Sequence, residues 1–137
     1  MSELILTHQL NKDVQKVFEA LSDPDKFTRH HPLIQKMEPL GANTYLVHEK
    51  ISFLFIPIVF RYKASIHSDS TSSMVGMTAD VFGMVHIELT FRLSTTDRGC
   101  RVDEIVNFHS KLPVTSILKK VFQKQHLALF KSIGAQS

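Results

Sequence analysis

The C-terminal part of the sequence carries the pattern that most restricts the fold, an amphipathic helix from Leu112 to about Gly134. At about 100° per residue, its apolar residues fall on one face and its lysines on the opposite face. Gln125 interrupts the apolar face and Leu127 the basic one. A single helix cannot bury its own apolar face, so the rest of the chain must cover it. The apolar face comprises Val114, Leu118, Val121, Phe122, Leu129 and Ile133, and the basic face comprises Lys120, Lys124 and Lys131.

The middle of the chain, from Gln35 to His109, has the two-residue period of β-strands. The strongest signal is Val85–Leu93, where apolar and polar residues alternate, and Gly83 joins it to Met74–Phe82 as a hairpin. We expect about six strands here, with further strands at Thr44–Ile51 and Cys100–His109. The predicted turns are Gly41–Asn43, Ser68–Ser73 and Thr95–Gly99.

The N-terminal part reads as one strand and two short helices. Residues 3–10 alternate, so Leu4, Leu6, His8 and Leu10 share the predicted inner face. Asp13 can cap a first helix whose apolar stripe includes Val17 and Leu21. Asp23 and Pro24 start a second helix that ends near His30, because Pro32 follows.

The stretch ISFLFIPIVF, residues 51–60, is the most apolar in the chain, with eight apolar residues of ten. It is shorter than the ~20 residues of a spanning helix, and Pro57 interrupts it, so we predict no stable membrane insertion. Pro57 is expected to separate the end of one strand from the start of the next. The stretch would line a ligand space or its rim, or else pack as plain core.

Composition bounds the function further. The 137 residues are expected to form one domain, 1–137, because no linker or repeat divides them. A net charge of +3 without a Lys/Arg run predicts no nucleic-acid partner. Cys100 is the only cysteine and no basic signal segment precedes it, so we expect a reducing, cytoplasmic location. The histidines lack metal-ligand spacing, so neither a metal nor another cofactor is expected. Homo-oligomerisation is left open.

This order of elements resembles the START-like helix-grip superfamily, also called SRPBCC, which includes polyketide cyclases/dehydrases and lipid-transfer domains. The resemblance covers nearly the whole chain and is most specific in HQLNKDVQKVFEALSDPDKFTRHHPLIQKME. Leu10, Val17, Phe18, Leu21, Asp23-Pro24 and His31-Pro32 occupy the places of its structural motif, with His30 where an aromatic residue is common.

The resemblance implies an α+β fold in which a curved antiparallel sheet of six to seven strands wraps around a long C-terminal helix. Two short helices follow the first strand. It also implies a hydrophobic cavity between the sheet and the long helix. Fold alone cannot decide function, because members of one fold differ widely in activity.

Polar residues on predicted inner faces are the candidate ligand contacts. His8 is either a hydrogen-bonded core histidine or a donor or acid/base in the cavity. Glu104, on the face of Cys100 and Val106, must be paired with a basic residue, displaced by a bulge, or be an acid with a raised pKa. Gln125 must find a partner in the backbone, water or a ligand. Tyr62 shares a face with Phe60 and can orient a ligand through its hydroxyl or serve as core.

These patterns lead to two functional hypotheses. In the first, the protein binds a small hydrophobic molecule (lipid, aromatic or polyketide-like) for carriage or sensing. In the second, it is a cyclase/dehydrase-type enzyme, for which His8, Glu104 and Tyr62 are the visible acid/base candidates, although no catalytic residue can be assigned. A third idea, contact of the lysine face with a partner or an anionic membrane, depends on Leu127 among the lysines. The predicted ligand-binding residues are His8, Phe55, Tyr62, Phe91, Glu104, Phe122, Gln125 and Leu129.

Overall fold

The computed structural model describes residues 2–53 and 55–135, which form seven strands and three helices. Ser2–Leu10, the first strand, is followed by two short helices and then by six strands and the long helix. The bounds are β1 Ser2–Leu10, α1 Val14–Ser22, α2 Pro24–His30, β2 Ile34–Gly41, β3 Thr44–Phe53, β4 Ile56–Asp69, β5 Met74–Val81, β6 Val85–Thr96, β7 Gly99–Ser110 and α3 Thr115–Ala135.

The seven strands form one curved antiparallel sheet in the order β1-β7-β6-β5-β4-β3-β2. Neighbours in sequence from β2 to β7 pair as hairpins, and β1 adds to β7 at the other edge. Helices α1 and α2 therefore connect the two edge strands. The predicted fold class is confirmed.

The residues predicted to start the two short helices do so in the structure. The Asp13 side chain accepts a hydrogen bond from the Gln15 N–H, and the Asp23 side chain accepts from the Asp25 and Lys26 N–H groups. Pro24 occupies the first turn of α2, where a missing N–H costs nothing.

Helix α3 lies on the concave face of the sheet, and its C-terminal half is buried there. Leu129 and Ile133 belong to the same core cluster as Phe91, Val102 and Phe108 of the sheet. The Lys12 ammonium donates a 2.6 Å hydrogen bond to the Ile133 carbonyl, where a cation also suits the helix dipole.

Two boundaries differ from the prediction. Helix α3 begins at Thr115 rather than Leu112, because Pro113 disfavours the helical conformation for the residue before it. Pro57 lies inside β4, opposite Ser52, rather than between two strands. Strand β5 pairs with β4 only from Lys63 onward, so Pro57 lies where β4 has a free edge that tolerates a missing N–H.

The buried arc of α3 also differs from the predicted one at one position. Val121 was placed on the apolar face, but it is 39% exposed. The buried arc instead includes His126 and Phe130, which rotates its centre away from Val121.

Candidate functional site

A buried carboxylate between two histidines lies where the sheet meets the middle of α3. Glu104 on β7 has no exposed surface, and His8 on β1 and His126 on α3 are also buried. The register pairs Leu6 with Glu104, so His8 is the diagonal neighbour of Glu104 on the same face. His8 Nε2 lies 3.0 Å from Glu104 Oε1, and His126 Nδ1 contacts Oε2. We call these three residues the His–Glu–His network.

The carboxylate determines which ring nitrogens carry protons. An ionised carboxylate only accepts hydrogen bonds, so His8 Nε2–H and His126 Nδ1–H must be the donors. In the neutral rings, His8 Nδ1 and His126 Nε2 are left with lone pairs. Each of these nitrogens is free of Glu104 and can accept a hydrogen bond.

The charge state of Glu104 follows from its partners. Burial raises the pKa of Glu104, but the hydrogen bonds and charges of His126 and His8 outweigh burial and hold that pKa below its ordinary value. Of the alternatives open for Glu104, the structure therefore shows pairing with basic side chains, with a lowered pKa rather than a raised one.

Aromatic rings and a third histidine enclose the network. Phe130 stacks on His8 with ring centroids 3.9 Å apart, and Phe122 lies 4.9 Å from the His126 ring. Phe91, opposite Glu104 on β6, is 6.1 Å from His126. His31 lies edge-on to His126, and burial, aided by the His126 charge, lowers the pKa of His31 to about 3. His31 is therefore uncharged at neutral pH.

A second buried carboxylate lies on β3, where Glu49 accepts a 2.9 Å hydrogen bond from the Tyr62 hydroxyl. Burial raises the pKa of Glu49, while the Tyr62 hydrogen bond and the His126 charge oppose part of that rise. Burial and the neighbouring Glu49 raise the pKa of Tyr62 well above its ordinary value. A raised pKa, one of the alternatives predicted for Glu104, is therefore found at Glu49 instead.

Beyond His126, toward the N-terminal end of α3, several apolar side chains of the sheet and the helix are not fully buried. On the sheet, Ile51 and Phe60 are half-buried and Ile58 is 41% exposed, although all three lie on the concave face. On the helix, Leu118 and Phe122 are also half-buried. We call this region the open half. It is a region in which apolar side chains of both the sheet and the helix remain partly exposed.

The predicted site residues divide into three groups. The network brings His8 and Glu104 together, with Phe91 and Phe122 against His126. Tyr62 joins Glu49 instead. The remaining three do not touch this network through any hydrogen bond or ring contact that the described structure holds: Gln125 is buried on α3, Leu129 is core, and Phe55 is fully exposed at the β3–β4 turn. Their role in ligand binding stays a prediction.

Sequence reasoning missed three of the ionisable residues in this region. His126 follows Phe122 by four residues and precedes Leu129 by three, a spacing that places it on the buried stripe. Glu49 alternates with Val47 and Ile51 on an inner strand face. Both signals were present in the periodicity. The contact of His31 with His126 depends on the tertiary fold alone.

Other features lie outside this region. A surface depression of about 250 Å³ is lined by residues of the β5–β6 turn and the end of β7, including Asp80, His86 and His109. His86 pairs with Asp80 at 2.6 Å across that turn, which raises the His86 pKa. Within residues 2–53 and 55–135, no group of three or more His, Cys, Asp or Glu side chains is placed to hold a metal ion. No helix of this part of the chain is long and apolar enough to cross a membrane.

Comparison with models of known protein families found no match, and comparison with curated proteins found none. Solved structures do match. Ara h 8.0201 is 17% identical with a TM-score of 0.79, covering 97% of this chain and 95% of its own. The Zhui aromatase/cyclase from Streptomyces sp. R1128 is 14% identical with a TM-score of 0.75, covering 96% and 90%. A START superfamily protein from Mycobacterium smegmatis is 13% identical with a TM-score of 0.75, covering 96% and 94%.

Proposed function

We propose that the START-like helix-grip fold of this chain, 1–137, serves as one ligand-binding domain for a small, mainly apolar molecule bearing a polar group. The fold itself is confirmed by the structural matches. The ligand would lie in the open half, with its apolar part against Phe60, Leu118 and Phe122. Its polar group would point toward the buried ionisable residues.

The observation that carries this proposal is the position of the His–Glu–His network and the Glu49–Tyr62 pair beside half-buried apolar side chains. Ligand sites are mostly apolar with a few placed polar groups. Burial raises the pKa of Glu49, which favours the form that can donate a hydrogen bond, and His126 has one ring nitrogen, Nε2, that Glu104 does not engage. A hydroxyl or carbonyl group on a lipid, aromatic or polyketide-like body suits such a site.

The expected location and partners rest on the composition of the sequence rather than on the site. The single cysteine, Cys100, is buried and its pKa is raised to about 11 by burial, so it is a poor nucleophile. We propose a cytoplasmic protein whose main partner is the small molecule, with no nucleic-acid partner.

Native mass spectrometry of the protein isolated from its own host tests binding directly, because a retained molecule adds a discrete mass. In solution, the neutral fluorophore N-phenyl-1-naphthylamine can report on the open half. Phe122→Ser is expected to weaken probe binding about tenfold, since it removes roughly 1.4 kcal/mol of apolar contact. Leu127→Ser, which alters the 54% exposed side chain on the far side of the helix, is the matched control. Equal affinity of the two variants would refute binding in the open half.

A cyclase/dehydrase-type activity is the second candidate, and one observation favours it: a carboxylate orients two imidazoles. In such a reaction, an imidazole nitrogen would take a proton from a carbon between two carbonyls. The carbanion would form a carbon–carbon bond with a second carbonyl, whose oxygen takes a proton, and water would leave. Against it, His8 and His126 are only 6% and 2% exposed, so binding is the better supported function.

The test is incubation with a poly-β-keto thioester and detection of the ring-closed product by mass spectrometry. His126→Asn should abolish a rate that depends on this imidazole, and an unchanged rate excludes His126. His86→Asn, at the exposed pair with Asp80, is the control.

A further inference from the structure

The hairpin of β3 and β4 extends beyond its neighbours as a two-stranded ribbon. Strand β2 pairs with β3 only as far as Glu49, and β5 reaches β4 only at Lys63. The remainder of the hairpin, up to the turn at Phe55, pairs only with itself. Its apolar side chains are exposed on both faces, with Ile56 at 63% and Val59 at 58%. Within the described residues nothing covers these side chains, and exposed apolar surface of this kind is typical of an interaction site.

Two other segments bring exposed apolar residues to the same end of the molecule. The Phe82 ring, 68% exposed at the β5–β6 turn, lies 6.1 Å from the Phe60 ring of the hairpin. The Lys111 N–H donates a 3.0 Å hydrogen bond to the Met84 carbonyl, which joins that turn to the start of the α3 segment. Leu112 and Ile117 there are also exposed. We call the apolar side chains of 55–59, 82–84 and 112–121 the apolar end.

Backbone geometry disfavours both phenylalanines at the turns, and a contact within the protein offsets that cost only at Phe82, whose ring lies near Phe60. Phe55 and Phe82 have φ angles of 66° and 55°, a left-handed region that favours glycine or asparagine and costs a bulky residue energy. Phe55 gains nothing in return, because its side chain is fully exposed. An aromatic residue that destabilises its turn and packs against no other part of the described structure indicates contact with an apolar partner.

The charges around the apolar end are mainly positive. Glu104 is the last acidic residue of the sequence, and five lysines follow it. Lys111, Lys120 and Lys124 are exposed, and so are Lys50 and Arg61 of the hairpin. The carboxylate of Asp80, beside the β5–β6 turn, is already paired with His86.

This charge distribution distinguishes two possible binding partners of the apolar end, a second copy of the chain and a lipid bilayer. A symmetric dimer through it would bring the same lysines of two copies together, and like charges across an interface are unfavourable. A bilayer with anionic headgroups offers both an apolar phase for the aromatic tips and negative charge for the lysines. We infer that the apolar end docks this protein on the surface of an anionic lipid bilayer.

Docking of this kind is peripheral and requires no spanning segment. Residues at the turn tips would enter the boundary between headgroups and acyl chains to about 5–10 Å, while the lysines stay at the headgroups. This inference does not depend on the proposed ligand, because Phe55, Ile56 and Phe82 lie outside the open half. Ile58 and Leu118 border both regions.

Flotation with vesicles of equimolar phosphatidylcholine and phosphatidylglycerol tests it, with pure phosphatidylcholine vesicles as the comparison. The protein should float with the anionic vesicles and dissociate as salt rises. Phe55→Gly should weaken binding about tenfold, and it should fold normally because glycine suits the positive φ. Leu40→Ser is the matched control, since Leu40 is 50% exposed at the opposite end of the sheet, beside the β2–β3 turn.

A double variant, Lys120→Glu with Lys124→Glu, tests the contribution of positive charge to vesicle binding. At about 1 kcal/mol per lysine, the pair should lose at least about thirtyfold in affinity. Lys16→Glu on α1, where an exposed lysine lies near the other end of the molecule, is the control. Equal flotation with neutral vesicles would overturn the inference, and so would undiminished binding by Phe55→Gly. A Phe55-dependent dimer in light scattering, without flotation, would assign the apolar end to a second copy instead.

Discussion

The two halves of the space between α3 and the sheet are built differently, although one helix and one sheet form both. In the closed half, Leu129 and Ile133 have at most 1% of their surface exposed and pack in the main core. In the open half, Leu118 and Phe122 on the helix and Phe60 on the sheet remain half-buried. The His–Glu–His network lies at the boundary between the halves, because His126 is in the middle of α3.

The comparison shows how stability and function can be separated along one helix. The closed half supplies burial, which stabilises the fold, while the open half leaves apolar surface uncovered. Uncovered apolar surface contributes little to folding and is typical of a site where something else binds. Four expectations follow from this difference, beginning with the largest.

Removing the Glu104 carboxylate, at the boundary between the halves, should lower the free energy of unfolding most. Glu104→Ala leaves two buried imidazole N–H groups without their acceptor, and we expect a loss of about 3–5 kcal/mol in the free energy of unfolding. Urea denaturation measures it. Glu88→Ala, on the exposed face of β6, should change stability by no more than about 0.5 kcal/mol. A similar small effect at Glu104 would mean that water reaches the network and that the boundary is open.

A matched pair of leucines on α3 compares the halves directly. Leu129→Ala should lose about 2–5 kcal/mol, since it leaves a cavity in packed core. Leu118→Ala should lose about 1 kcal/mol or less, because its side chain is already half-exposed and water can fill the gap. Thermal and urea unfolding of both variants provide the measurement. Equal losses would remove the distinction between the halves.

Stability should also depend on pH through His31, which packs against His126 at the boundary between the halves. Its folded pKa is about 3 against an ordinary 6.5, so between these values the unfolded chain binds a proton that the folded protein does not. The free energy of unfolding should therefore fall as pH falls from about 6.5, by up to about 1.4 kcal/mol per pH unit. The lowered pKa of Glu104 acts in the same direction at lower pH.

His31→Asn isolates this contribution. His31 Nδ1 accepts hydrogen bonds from the N–H groups of Leu33 and Ile34, and an asparagine oxygen can accept them instead. The variant should keep its stability near neutral pH and lose most of the slope just below pH 6.5; burial also lowers the pKa of His30, which contributes the remainder. If the slope persists in urea titrations of the variant, another group causes it.

The smallest effect is expected at the exposed tip beyond the open half. Phe55→Gly should leave stability unchanged or raise it by about 1 kcal/mol, because glycine relieves the positive φ of 66° and no packing is lost. Ile58→Gly, in the extended strand of the same hairpin, should lower stability. A clear loss at Phe55, seen in thermal unfolding, would show that the ring packs on the protein after all.

Periodicity predicted much of this structure, because it reports which face of an element is covered. The inner positions of His8 and Glu104, the caps of α1 and α2 and the exposure of Leu127 all follow from local pattern. The error at Val121 has a physical cause. Periodicity gives the centre of an apolar arc only to within about one residue on a helix, and polar His126 lies on the buried side.

The sequence by itself determined the order of strands and helices, the curved sheet around one long helix, and the mixture of apolar and ionisable side chains on their inner faces. Only the tertiary structure decided which of these side chains meet. Strand register placed His8 diagonally from Glu104, and the seating of α3 on the sheet brought His126 to the same carboxylate. Contacts between distant segments depend on register, crossing and depth of packing, and none of these is encoded in the period of a single element.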